Sequence, residues 1–171
     1  MKRLALAAAL MVGVASPVQS DEDRQLAFPK DYRETFTQYY SGDRLYVEEQ
    51  TIRLFANDIA KAGAQADGKL PNGSLLVAEL YAAQKDANGD IIESTLGRRL
   101  PGDLKAIVLM ERGAGWDAQY ADDLKVGDWE FEVFNAAGEN LNKNTTACRE
   151  CHHPLGDSEY MFSLEHLLAA K

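Results

Sequence analysis

The chain has 171 residues, 46% of them hydrophobic and 26% charged, with 18 Lys and Arg against 27 Asp and Glu, a net charge of −9 and a pI near 4.8. That balance argues against nucleic-acid binding and against docking on anionic membrane surfaces; it suits a solvated acidic surface and, at most, a basic electron-transfer partner. With no internal repeat, low-complexity segment or long linker, the length suits one domain with a real core.

In chain order, Met1-Lys2-Arg3 is a positive start, Leu4 to Ala15 is apolar, and Val18 and Ser20 stand where a signal peptidase prefers small residues. This is the pattern of a secretory signal over residues 1–20. The apolar run is shorter than the about 20 residues of a membrane span. The expected product is therefore a single soluble domain, residues 21–171, exported and without a membrane span.

Phe28-Pro29-Lys30-Asp31-Tyr32-Arg33 opens that domain after the charged lead Asp21 to Arg24. Glu34 to Tyr40 fits a helix or an extended segment. Leu45 to Ala56 is rich in branched and aromatic side chains and reads as a strand, with Ile52 and Leu54 on one side and Arg53 and Phe55 on the other. Asn57-Asp58 caps a short helix through Ile59, Ala60 and Ala62, weakened by Gly63 and stopped by Ala66 to Lys69. Pro71 to Ser74 is a turn. Leu75 to Ala83 is a strand whose period of two sets Leu76, Ala78 and Leu80 against Leu75, Val77, Glu79 and Tyr81.

Asp86 to Asp90 resembles the start of a calcium loop but lacks the closing glutamate, and reads as a hairpin turn. Ile91 to Thr95, Lys105 to Glu111 and Asp128 to Asn135 are further strands, the last with Trp129, Phe131 and Val133 inward and Glu130 and Glu132 outward. Ser163 to Ala170 carries Leu164, Leu167 and Leu168 at helical spacing. The expected fold is α+β, mainly β: an antiparallel sheet of about five strands with a few short helices.

Between the last strand and the last helix stand the two cysteines, in Cys148-Arg149-Glu150-Cys151-His152. Cys-x-x-Cys-His attaches a c-type haem: on a helical turn both thiols meet one edge of the macrocycle, and the adjacent histidine reaches the iron. A zinc site lacks a second cysteine pair, and His153 and His166 show no ligand spacing. A thioredoxin-like pair needs a preceding strand, whereas Gly138 to Thr146 is polar and turn-like; a structural disulfide is the remaining rival. The expected cofactor is one heme c, bound covalently through Cys148 and Cys151 with His152 as metal ligand. Attachment takes place in an oxidising compartment, in agreement with the signal segment, so the expected location is the periplasm.

Met161 follows His152 too closely to reach the opposite face of the ring and reads as packing. Met110 is the better distal candidate, set against the more ordinary role of a core methionine. With no other well-placed ligand, the iron is expected to be five-coordinate and open to a small molecule. A motif so late in the chain separates it from electron-transfer cytochromes with an early motif, and period-two strands separate it from four-helix bundles.

Phe28 to Arg33, Thr51-Ile52-Arg53, Asn72 to Leu80, Gly127 to Phe131, Thr146 to His152 and Asp157 to Phe162, taken in order and spacing, resemble cytochrome P-460 and the related cytochromes c′-beta over essentially the whole mature chain. The resemblance implies a largely antiparallel β structure with a few helices and the haem at one end, often as a homodimer. It also implies two subgroups. P-460 enzymes oxidise hydroxylamine, with nitric oxide able to enter the reaction, and carry a lysine bonded to a haem meso carbon. The c′-beta members lack that bond and look like binders of nitric oxide or carbon monoxide. The lysine's place, just before the Glu-Leu pair, is held here by Ala78, which cannot form the bond; Lys69, Lys85 and Lys105 stand elsewhere.

Arg53 matches the family's distal-pocket arginine, as a donor to a bound ligand or as partner of a haem propionate or surface carboxylate. Phe55, on the same side, would give steric cover. Glu111 or Met110 falls where the enzymes carry a distal carboxylate, with the register open by one residue. Trp129 and Phe131 line the haem cavity or fill the core. The expected function is a periplasmic mono-haem cytochrome binding nitric oxide or a similar small ligand. The alternatives are an oxidoreductase acting on hydroxylamine or nitric oxide, with Arg53 and Glu111 as catalytic candidates, and a plain electron carrier serving a redox partner protein.

Overall fold

A computed structural model describes residues 25–171, so the signal segment expected over 1–20 lies outside the described residues. Five strands, β1 (Thr37–Asp43), β2 (Gln50–Ala56), β3 (Leu75–Ala83), β4 (Pro101–Arg112) and β5 (Trp129–Phe134), form one antiparallel sheet in the spatial order β1-β2-β3-β4-β5. Four short helices accompany them: α1 (Tyr32–Thr35), α2 (Asp58–Asp67), α3 (Thr146–His152) and α4 (Leu164–Leu168). The mainly-β, antiparallel class expected from the sequence is the observed one. Among the described residues no helix is long and apolar enough to cross a membrane.

The strand count agrees with expectation, but its membership differs. Glu34 to Tyr40 divides: α1 ends at Thr35, and the chain turns extended at Phe36 to run on as β1. Ile91 to Thr95 is not a strand of the sheet. Residues 84–100 form an excursion held by the isolated bridges Lys85↔Ile91 and Glu93↔Arg99. The turns at Asp86–Asp90 and Ser94–Gly97 follow each other too closely for a ladder to form between them. Leu45 to Glu49, expected in a strand, is the loop before β2, where Tyr46 takes a positive φ of 60°.

Both faces of the sheet are covered at the start of β3, and the run Leu75-Leu76-Val77 is accordingly apolar without a break. One face presents Phe55, Val77, Ile107, Leu109 and Phe134 to the N-terminal segment of Leu26 and Tyr32. The other presents Ala56, Leu76, Met110, Trp129 and Phe131 to Ala60 and Ala64 of α2, to Met161 and to Leu167 of α4.

The α2 helix is fixed at both ends. Asn57 Oδ1 accepts from the backbone N–H groups of Ala60 (2.9 Å) and Leu75 (3.1 Å), and Gly68 ends the helix at φ 77°. Gly63 lies inside the helix and does not break it. A Cβ there would stand 2.4 Å from Pro71 Cδ and 2.6 Å from the Lys69 carbonyl, so glycine is where the following turn crosses the helix.

Candidate functional site

Cys148 and Cys151 lie one turn apart on α3, three residues being close to one helical turn. Both are free; Cys148 packs half-buried against the core beneath the sheet, and Cys151 is exposed. Burial, with the neighbouring Cys151, pushes the Cys148 thiol up, against the lowering pull of Arg44 and Arg149.

His152, the last residue of α3, stands between two aromatic rings, with centroids 5.1 Å from both Phe131 of β5 and Phe162. Its Nδ1 lies 2.6 Å from the Tyr160 carbonyl oxygen. That oxygen only accepts, so Nδ1 carries the proton and Nε2 keeps its lone pair. Burial pulls the imidazole below its ordinary pKa, partly offset by this bond, and favours the neutral ring.

The carbonyl reaches the ring because Glu159 and Tyr160 both adopt left-handed backbone, at φ 54° and 61°. For non-glycine residues that costs energy, and the surroundings hold it in place. Glu159 is bonded through its side chain to Arg112 (2.5 Å) and through its carbonyl to Trp129 Nε1 (3.1 Å). The Tyr160 ring lies over Gly127, where a Cβ would meet it at 2.4 Å.

Arg149, between the cysteines, is 1% exposed. Nη2 donates to the Trp129 carbonyl (2.9 Å) and to Glu130 (2.8 Å), Nη1 lies 3.3 Å from Asp117, and the guanidinium sits 3.3 Å from the centre of the Tyr120 ring. These contacts tie α3, and with it both thiols, to β5. The motif gives no hint of this residue, because its x positions are unconstrained; a lone arginine on a helix turn reads as solvent-facing.

Residues directly opposed on neighbouring strands share a face. On the face that holds Phe131, the next row along the sheet is Leu54↔Ala78↔Val108↔Val133, every member half-buried, with half-buried Ile52 and Ala106 beyond it. An apolar wall thus continues from the residue on which His152 rests. Its side chains fit the flat, apolar body of a porphyrin, and none of the four in the row carries a donor atom.

The sequence-derived candidates divide between the two faces. Ala78, Met110, Trp129 and Phe131 share the face of α3; Met110 (7% exposed) and Trp129 (0%) are packed into its core. Arg53, Phe55 and Glu111 do not join them. Arg53 opposes Glu79, Phe55 opposes Val77, and Glu111 opposes Leu75, all on the other face. Arg53 and Phe55, expected over the iron, thus stand on the sheet face away from α3. Strand alternation separates Arg53 from Leu54 correctly, but only the pairing of β2 with β3 shows that Leu54, opposite Ala78, is the residue on the face of α3. Burial alone raises the Glu111 carboxyl. His153 Nδ1 lies 2.7 Å from the Lys125 carbonyl, and His166 stacks 4.6 Å from Tyr40, both away from the cysteines' partners.

The family model described as Cytochrome P460 matches residues 29–163. No curated protein matches the chain.

Proposed function

This chain belongs to the cytochrome P460 family, which implies a haem cofactor, and from that premise we propose a periplasmic mono-haem cytochrome that binds nitric oxide or a similar small ligand such as carbon monoxide. Cys148 and Cys151 would carry the haem covalently, and His152 would hold the iron through Nε2. The observation that carries this reading is the bond of His152 Nδ1 to the Tyr160 carbonyl beside two free cysteines, because it fixes the tautomer a metal ligand needs.

Haem, when bound, supplies an iron that takes up small diatomic ligands and exchanges single electrons. The chain's own residues orient and enclose. Phe131 and Phe162 hold the imidazole plane, Arg149 fixes α3 on β5, and Leu54, Ala78, Val108 and Val133 offer an apolar wall that excludes water. That wall has no group able to coordinate a metal or take a proton, which favours ligand binding over oxidation of hydroxylamine. Ala78 points the same way, since it supplies no amine for a haem cross-link. Export to the periplasm belongs to the same proposal and rests on the pattern of residues 1–20.

The test is the absorption spectrum of the purified protein, oxidised, reduced, and reduced under carbon monoxide, together with its intact mass. The expected result is a mass increased by one haem, a high-spin reduced spectrum and a saturable change on adding carbon monoxide. A low-spin six-coordinate reduced spectrum indifferent to carbon monoxide overturns the open position. Steady turnover of hydroxylamine with an artificial acceptor overturns the binding role in favour of an enzyme.

A further inference from the structure

The sheet face turned away from Cys148 and His152 carries a second concavity, which the haem reading does not use. Beside β1 and β2 lies a cleft of about 250 Å³ whose lining includes Asp43, Thr51, Arg53, Arg98 and Arg99. Arg53 shares a face with Ser41 across β1, and Thr51 with Asp43; Arg98 and Arg99 come from the excursion between β3 and β4. In a chain of net charge −9, three guanidinium groups here meet a single carboxylate.

Each arginine is positioned by a contact that leaves donors over. Arg53 lies 4.9 Å from the centre of the Tyr81 ring and donates from Nη1 to its hydroxyl at 3.3 Å. Arg99 donates from Nη1 to the Val47 (3.1 Å) and Gln50 (3.3 Å) carbonyls. Arg98 Nε lies 3.3 Å from Asp43 Oδ2. A guanidinium has five N–H donors, and among the described residues no acceptor is found for the remainder.

The carboxylates within reach are already committed. Asp43 is ion-paired to Arg98 through one oxygen and accepts the Arg99 backbone N–H (3.1 Å) on the other. Glu79, directly opposed to Arg53 on β3, is fully buried and taken by Tyr32, Arg33 and Tyr81. Unused, pre-positioned donors around a concavity with no free counter-charge are what an anion site requires. Holding Arg53 and Arg99 in advance also lowers the entropy lost on binding.

We propose that this cleft binds a small oxyanion, the shared chemistry of phosphate, sulfate and carboxylate groups, through the N–H donors of Arg53, Arg98 and Arg99. The site does not depend on the haem.

The experiment is calorimetric titration of the haem-loaded protein with inorganic phosphate, the ionic strength held constant with chloride. One saturable site is expected, with Arg53→Gln and Arg98→Gln each weakening it by about tenfold, as the loss of one charge-assisted hydrogen bond implies. The Arg98 side chain is 52% exposed, so Arg98→Gln is expected to melt at the wild-type temperature, which separates loss of binding from loss of fold. Displacement of phosphate by sulfate alone assigns a tetrahedral anion, displacement by sulfate and acetate alike assigns the wider class, and each supports the site. Heat that never saturates overturns the proposal, as does saturation unchanged in both variants.

Discussion

Arg149 is a buried cation set between two carboxylates and a tyrosine ring, and its removal would leave Glu130 with an unmet charge. Breaking a buried pair from one side costs about 3–5 kcal/mol. Arg149→Ala should lose stability on that scale in urea unfolding, and Arg149→Lys, with a point charge in place of a fork, should recover only part. A second residue makes a claim about pH. Burial by itself would raise the Glu79 carboxyl, but hydrogen bonds from Tyr32, Tyr81 and Arg33 outweigh it and hold the group below its ordinary 4.5. A carboxyl depressed in the folded state stabilises above its unfolded value and loses that contribution as pH falls through the folded one. The urea midpoint of Glu79→Gln should therefore lie below wild type at neutral pH, and the gap should begin to close only as the pH falls below the ordinary 4.5. Neither residue was legible beforehand. The motif names Cys148, Cys151 and His152 because covalent chemistry demands them in that order, while Arg149 and Glu79 draw on partners such as Glu130 and Tyr32, 19 and 47 residues away.

At the scale of elements, the sequence is read best where a single local signal decides. Leu75–Ala83 is the observed β3, and Asn57 caps the observed α2. Reading fails where two local signals compete, as in the helix-then-strand at Glu34 to Tyr40, or where turns crowd a strand, as at Ile91 to Thr95. Gly63 shows propensity yielding to packing. Alanine is the better helix former by about 1 kcal/mol, yet its Cβ would meet the backbone of Lys69 and the ring of Pro71. Gly63→Ala should lower stability by about 1–3 kcal/mol, read from the same urea curves; a gain would mean that the turn yields. The division of the sheet into two faces gives a kinetic test. Val108→Phe, on the wall beside Phe131, should change the carbon monoxide dissociation rate of the haem-loaded protein several-fold, and Arg53→Ala should leave it unchanged, both by flash photolysis.

For the molecule as a whole, the two faces of the sheet are not equally finished. One is sealed by Leu26, Tyr32 and their neighbours, and the other is closed by α2 and α4 only as far as the row of Leu76, Met110 and Phe131. The half-buried row beyond it is protein surface that the cofactor would cover, and a group bound only by the folded state adds stability. A Cys148→Ala, Cys151→Ala chain produced without haem should keep the far-ultraviolet dichroism of the sheet, bind more of a hydrophobic dye and melt at a lower temperature. Wild-type dye binding in that chain would show that the wall is not the cofactor's seat.

The meander has one more consequence, in time. Its strands lie side by side in the order in which they are made, and every residue of the wall, from Leu54 to Val133, precedes Cys148. A nascent chain can therefore complete its sheet, one neighbour at a time, before the thiols that recruit its cofactor have been synthesised. A chain halted between β5 and α3 would be the species most prone to aggregate, folded behind an apolar surface with nothing yet made to cover it.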